Sequence, residues 1–203
     1  MTITPVDDKL DLFYVEDVFS EFLLEKFKEV DHTKAVWRKE ENQTDWPRRL
    51  ITDEYESVYL TMDHHIKEQL QQIQKITKTH ILSCDTAFWL DEPGFFTYPH
   101  LDNENIFMSM QVYLSEHLGI DMSTEFYNVD DKNKEKFDTL VHPHITKAKT
   151  YYNTDNCVRF KPEYKVNSGY LIINNPTLYH GMLTPVPEDT YRLSSYTRFY
   201  KKT

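Results

Sequence analysis

The sequence predicts a mainly β domain, a β-sandwich or jelly roll with helices packed on one face. Three observations point there. Two amphipathic segments lie before residue 78, and short runs of Phe, Tyr, Val and Ile broken by Pro, Gly and Asn follow it. Helices first and strands afterwards is the order of a sheet structure with helical support. The apolar content is carried by rings, with 14 Tyr and 12 Phe in 203 residues, and aromatic side chains suit strands and pocket walls. A chain of this length is the size of one domain and can bury one core.

The elements follow in order. From Asp17 to Val30 the apolar residues Val18, Phe19, Phe22, Leu23, Phe27 and Val30 recur at steps of three and four, behind Asp17 or Ser20 as caps, which predicts a helix. A second helix is expected from Met62 to Ile76, with Ile66, Leu70, Ile73 and Ile76 as its apolar stripe. Strands are expected near Ile81 to Leu90, Phe95 to His100, Asn105 to Leu114, Glu125 to Tyr127, Tyr170 to Asn174, Leu178 to Leu183 and Tyr191 to Tyr200. From Asn128 to Tyr164 the chain is polar, mixed in charge and too long for a hairpin, so residues 128–164 read as an insertion or lid. The organisation expected is one domain over 1–203, with 1–78 a mainly helical N-terminal support and 79–203 the jelly-roll core.

Charge and composition exclude several classes. With 23 basic against 33 acidic side chains the formal charge is −10, and a field of that sign repels phosphate backbones, so nucleic acid is an unfavoured partner. Cys84 and Cys157 are far apart and form no Cys-x-x-Cys spacing, so neither a disulfide framework nor a thiolate zinc site is indicated. The first residues show no basic segment followed by an apolar run, and no stretch approaches the ~20 apolar residues that span a bilayer. A soluble, cytoplasmic protein without a membrane partner is expected, its oligomeric state left open.

Chemistry concentrates in Phe96-Thr97-Tyr98-Pro99-His100-Leu101-Asp102-Asn103. Alternate residues of an extended chain face the same side, so the His100 imidazole and the Asp102 carboxylate can converge on one ion, with Phe96 and Tyr98 inward as well. His180, in Asn174-Asn175-Pro176-Thr177-Leu178-Tyr179-His180-Gly181, is the candidate third ligand. Two imidazoles and one carboxylate form the facial set that leaves positions open on non-haem iron(II). Twelve residues later Arg192 opens an apolar strand, where an inward guanidinium offers a bidentate fork to a buried carboxylate. Ser194 and Arg198 share its face. An internal salt bridge is the competing use for Arg192.

On these residues the chain resembles the iron(II)- and 2-oxoglutarate-dependent dioxygenases, whose pattern is His-x-Asp, a distant His and a downstream Arg or Lys, over about Phe95 to Phe199. The resemblance implies a double-stranded β-helix, a cupin-like jelly roll. It implies iron(II) held by His100, Asp102 and His180 as the catalytic and metal-binding set, and 2-oxoglutarate as co-substrate with ascorbate as a reductant. Arg192 matches the residue that binds the distal carboxylate, with Ser194 assisting. Val112-Tyr113-Leu114 matches a strand ending in Tyr-Leu in the prolyl hydroxylase-like branch, so Tyr113 is expected to share that carboxylate. Tyr98, which lies two residues before the first ligand where that branch has a tyrosine three before it, is a further cofactor-binding candidate that the resemblance implies.

Hydroxylation of a small molecule or a peptidyl side chain, proline being the nearest guess, is the function this implies. A nucleic-acid demethylase and a catalytically silent jelly-roll binding module are the alternatives, the first opposed by the acidic balance and the second by the intact ligand set. The remaining candidates have plainer readings. His142 and His144 belong to the polar insertion, His64 and His65 read as surface positions, Met108 and Met110 as core, and Trp37, Trp46 and Trp89 as packing groups.

Overall fold

A computed structural model of the chain describes residues 1–6, 10–32, 37–38, 47–51, 57–116, 119–129, 139–140, 151–152 and 158–201. Among these the elements run β1 (Thr2–Pro5), β2 (Leu12–Glu16), α1 (Glu21–Lys28), β3 (Trp37–Arg38), β4 (Arg48–Ile51), α2 (Ser57–Glu68), α3 (Leu70–Thr77) and β5 (Ser83–Asp91). They continue with β6 (Thr97–His100), β7 (Met108–Tyr113), β8 (Glu125–Asn128), β9 (Thr139–Leu140), β10 (Tyr151–Tyr152), β11 (Val158–Phe160), β12 (Ser168–Ile173), β13 (Leu178–Met182) and β14 (Arg192–Tyr200).

Helix α1 begins where Ser20, in extended conformation, accepts the Leu23 amide on its hydroxyl, an N-cap; Glu21 in its first turn and Lys26 and Lys28 in its last suit the helix dipole. Leu23 and Phe27 are its buried face. The expected helix over 62–76 is two: α2 starts earlier, at Ser57, and the chain bends at Gln69 before α3. No helix-breaking residue stands at the bend, so packing sets it; Met62, Ile66 and Ile73 all enter one core. Lys78 closes α3 in the left-handed conformation.

Two antiparallel sheets face each other. The larger has the order β1-β2-β12-β7-β14-β5-β4-β3 and the smaller β11-β8-β13-β6, with β9 and β10 paired separately. Strand β7 shows how sequence positions the layers, because all six residues of Met108-Ser109-Met110-Gln111-Val112-Tyr113 are buried. Met108, Met110 and Val112 join Phe88, Leu90, Leu171, Leu193 and Phe199 on the face covered by the helices. Ser109, Gln111 and Tyr113 therefore point the other way, between the sheets. Rings bridge that gap: Phe126 of the small sheet meets Tyr170 of the large one edge-on at 4.7 Å, in a cluster with Leu12, Ile172 and Leu178.

The fold is the mainly β jelly roll with packing helices that the sequence predicts, but the first 78 residues are more than helical support. Strands β1 to β4 extend the large sheet at both ends, β2 pairing with β12 and β4 with β5. Asn167, at φ +63°, ties the far end of that sheet to the entry of α1: its side chain accepts the Phe19 amide at 2.8 Å and donates to the Phe19 carbonyl at 2.9 Å. Most of the 128–164 insertion lies outside the described residues, including His142 and His144, as does Trp46. Among the described residues no helix is long and apolar enough to cross a membrane.

Candidate active site

Strands β6 and β13 pair antiparallel with His100 directly opposite His180. Their backbones approach closely because residue 181 is glycine. A Cβ there would stand 2.8 Å from the Thr97 carbonyl oxygen and 2.9 Å from the Pro99 nitrogen. Pro99 itself, which has no N–H to donate, is accommodated at the edge of the small sheet. The chain leaves β6 after His100 and brings Asp102 back beside both rings. Ligand atoms of His100, Asp102 and His180 lie within 4.8 Å of one another, the His100 and His180 rings being 4.6 Å apart and His180 Nε2 3.6 Å from Asp102 Oδ1.

Each ligand is held by a neighbour. The Tyr98 carbonyl lies 2.9 Å from His100 Nδ1, an arrangement that puts the proton on Nδ1 and leaves Nε2 as a lone-pair donor. Ser109, on the inward face of β7, donates to Asp102 Oδ2 at 2.8 Å, leaving Oδ1 toward His180. Burial works against the Asp102 charge, but the His180 and His100 imidazoles and the Ser109 hydrogen bond outweigh it and hold the carboxyl well below the usual carboxylate range. Tyr196, whose hydroxyl interacts with Ser109 and Asp102, is pushed well up, chiefly by burial. It stays a neutral phenol.

Away from the triad, Gln111 donates to Ser194 Oγ at 3.1 Å, and its Oε1 accepts from Thr124 Oγ1 at 3.1 Å. Ser194 is thus turned to Gln111. Next along β7, the Tyr113 hydroxyl accepts the Thr124 amide at 2.9 Å, and its ring stacks on Tyr164 with centroids 4.6 Å apart. Beyond it lies Arg192, inward and 2% exposed, within 6.0 Å of the Tyr113 ring. The internal salt bridge is real. Arg192 Nε and Nη2 reach Asp91 Oδ2 at 2.8 and 2.7 Å, and Nη1 donates to the Met122 carbonyl at 2.8 Å. These contacts engage three of the five guanidinium N–H groups.

Other expectations resolve differently. The ring of Tyr98 meets that of Phe96 edge-on at 5.3 Å, while its carbonyl serves His100. His64 is exposed beside Glu68, but His65 is half-buried, with Nε2 2.9 Å from the Val18 carbonyl, so the surface reading fails for His65. Trp89 carries the Arg48 guanidinium over its ring at 4.7 Å. Arg198 pairs with Asp85 at the half-exposed end of β14. Sequence reasoning missed Ser109, Tyr196, Asp91 and Arg48. Period-two alternation from Arg192 does reach Tyr196, and alternation along β7 reaches Ser109, so those two carried a signal.

The sequence matches no protein-family model and no curated protein. Its structure does match solved ones. A Pseudomonas putida prolyl-4-hydroxylase aligns over 96% of this chain and 95% of its own at TM-score 0.62 and 13% identity. HygX from Streptomyces hygroscopicus, with nickel and 2-oxoglutarate bound, aligns over 96% of this chain and 84% of its own at TM-score 0.61 and 12% identity. A Trichoplax adhaerens prolyl hydroxylase in complex with a hypoxia inducible factor peptide fragment aligns over 95% and 84% at TM-score 0.64 and 8% identity. This chain shares its fold, the jelly roll, with prolyl hydroxylases and HygX across nearly its whole length.

Proposed function

We propose that this chain is an iron(II)- and 2-oxoglutarate-dependent dioxygenase that hydroxylates a small molecule or a peptidyl side chain. The convergence of His100, Asp102 and His180 carries the reading. The donor set fits iron(II): two imidazoles and one charged carboxylate, with the His100 tautomer leaving Nε2 a lone pair and Asp102 Oδ1 turned toward His180. When bound, iron(II) and 2-oxoglutarate together supply the oxidising power for C–H hydroxylation by dioxygen, with succinate and carbon dioxide as co-products.

The remaining steps belong to the chain. Asp102 contributes negative charge that stays ionised through neutral and mildly acidic pH, and Ser109 and Tyr196 fix its orientation. Arg192 would pair with the far carboxylate of the co-substrate, with the Tyr113 ring 6.0 Å from its guanidinium and Ser194 the cross-strand partner of Tyr113. Phe95, Tyr113, Met122, Tyr164, Met182 and Val186 cluster there and keep water out. Tyr98 lies on β6 itself, two residues before His100. The fold neighbours bind molecules of both proposed classes, a peptide fragment in the Trichoplax enzyme and hygromycin B in HygX. The chain is proposed to act in the cytoplasm, with ascorbate as an auxiliary reductant.

Purified protein with iron(II), ascorbate and dioxygen should convert 2-oxoglutarate to succinate slowly without substrate and faster with proline-containing peptides or the true small molecule. His100→Ala and Arg192→Ala should abolish both rates. An absence of succinate under every condition would favour a silent binding module.

A further inference from the structure

We propose that Gln111 and Thr124 are positioning residues for the far carboxylate of the co-substrate, because together they leave the Ser194 hydroxyl hydrogen to be donated to it. This rests on the co-substrate reading above. Arg192, Ser194 and Tyr196 share the inward face of β14, so Ser194 stands between the guanidinium and the phenol that touches Asp102. Gln111 reaches it from β7, and Thr124 comes from the residue just before β8. All three polar side chains, Gln111, Thr124 and Ser194, are buried.

A hydroxyl has one hydrogen to give, so the direction of each bond in this row sets the next. The Tyr170 phenol reaches the Thr124 side chain, and burial pushes it so far up that it stays protonated. Thr124 therefore accepts on that side and gives its own hydrogen to Gln111 Oε1 at 3.1 Å. With its oxygen held there, the Gln111 amide turns its nitrogen the other way, and Nε2 donates to Ser194 Oγ at 3.1 Å. Ser194 is thus an acceptor toward the protein. No acceptor for its own hydrogen stands among the described residues. A carboxylate seated beside Arg192 supplies one, and a donor aimed in advance loses little freedom on binding. The Thr124 backbone is fixed separately, since its amide donates to the Tyr113 hydroxyl at 2.9 Å. A valine at 124 keeps that bond and removes only the hydroxyl.

Calorimetric titration of nickel(II)-loaded protein with 2-oxoglutarate and with 2-oxopentanoate separates this role from scaffolding. The second ligand has the same keto-acid head and chain length, with a methyl in place of the far carboxylate. Gln111→Met, of similar volume, should weaken 2-oxoglutarate about tenfold and leave 2-oxopentanoate within about twofold of wild type. In a Ser194→Ala background the same substitution should change 2-oxoglutarate affinity by less than about twofold, since the donor it orients is already gone. Thr124→Val should weaken 2-oxoglutarate about fivefold, while Thr124→Ser, which keeps the hydroxyl, should stay within about twofold of wild type. This second pair carries the test should Gln111→Met fail to fold. Unchanged 2-oxoglutarate affinity in Gln111→Met, Thr124→Val or Ser194→Ala, equal weakening of both keto acids, a full effect of Gln111→Met in the Ser194→Ala background, or no recovery in Thr124→Ser each overturns the proposal. Wild-type protein that binds no 2-oxoglutarate would instead remove the co-substrate reading itself.

Discussion

Tyr164 stands with one face on Tyr113 and its hydroxyl 3.0 Å from Ser115 Oγ, which in turn accepts the Leu193 amide beside Arg192. Burial pushes its phenol up to about 12 from an ordinary value near 10. A group raised in the folded state stabilises it fully below the unfolded value and loses that contribution as pH rises through the folded one. Denaturant midpoints should therefore fall between pH ~10 and ~12, with Tyr164 contributing about 2 to 3 kcal/mol of the loss. Tyr164→Phe should flatten the decline over that window; an unchanged slope would show the phenol ionising as freely as in water. At this scale the triad was legible because the chemistry demands those residue types at strand ends. Asp91 and Arg48 were not, since a carboxylate shared across three strands depends on the register between β4, β5 and β14, and no local spacing encodes it.

Strand β13 meets β6 over Gly181, where an added methyl would strike backbone atoms of Thr97, Tyr98 and Pro99 that cannot rotate aside. Gly181→Ala should cost about 1 to 3 kcal/mol by overpacking. Because the strands must part at His180 opposite His100, it should also weaken metal binding at least about tenfold. Thermal melts and a metal titration check both, and full metal affinity in a destabilised variant would uncouple strand spacing from ligation. Elements with strong periodicity were readable, among them α1, β7 and β14. Strands β1 and β2 were not: each is four or five residues long, and only Ile3 of β1 is buried. What makes them strands is β12, about 150 residues away, and sequence patterns do not report a distant partner.

For the molecule as a whole, the candidate metal site joins the two sheets, since Asp102 is bonded to Ser109 of the large sheet and grouped with His100 and His180 of the small one. A cation bound there should hold the layers together. Loading at one hundred times its dissociation constant should add about 2.7 kcal/mol to unfolding, and a chelator should remove it. Melts that ignore the metal, or a His180→Ala variant that gains as much, would place the cation elsewhere.

The order β1-β2-β12 in the large sheet also dictates a schedule. The β1–β2 hairpin has its own pairing but no place in the sheet until β12 follows about 150 residues later, an interval on the order of ten seconds at ordinary rates of synthesis. Closing so long a loop is entropically slow, so the amino-terminal hairpin and the Asn167 clasp on Phe19 should be among the last parts of the protein to assemble.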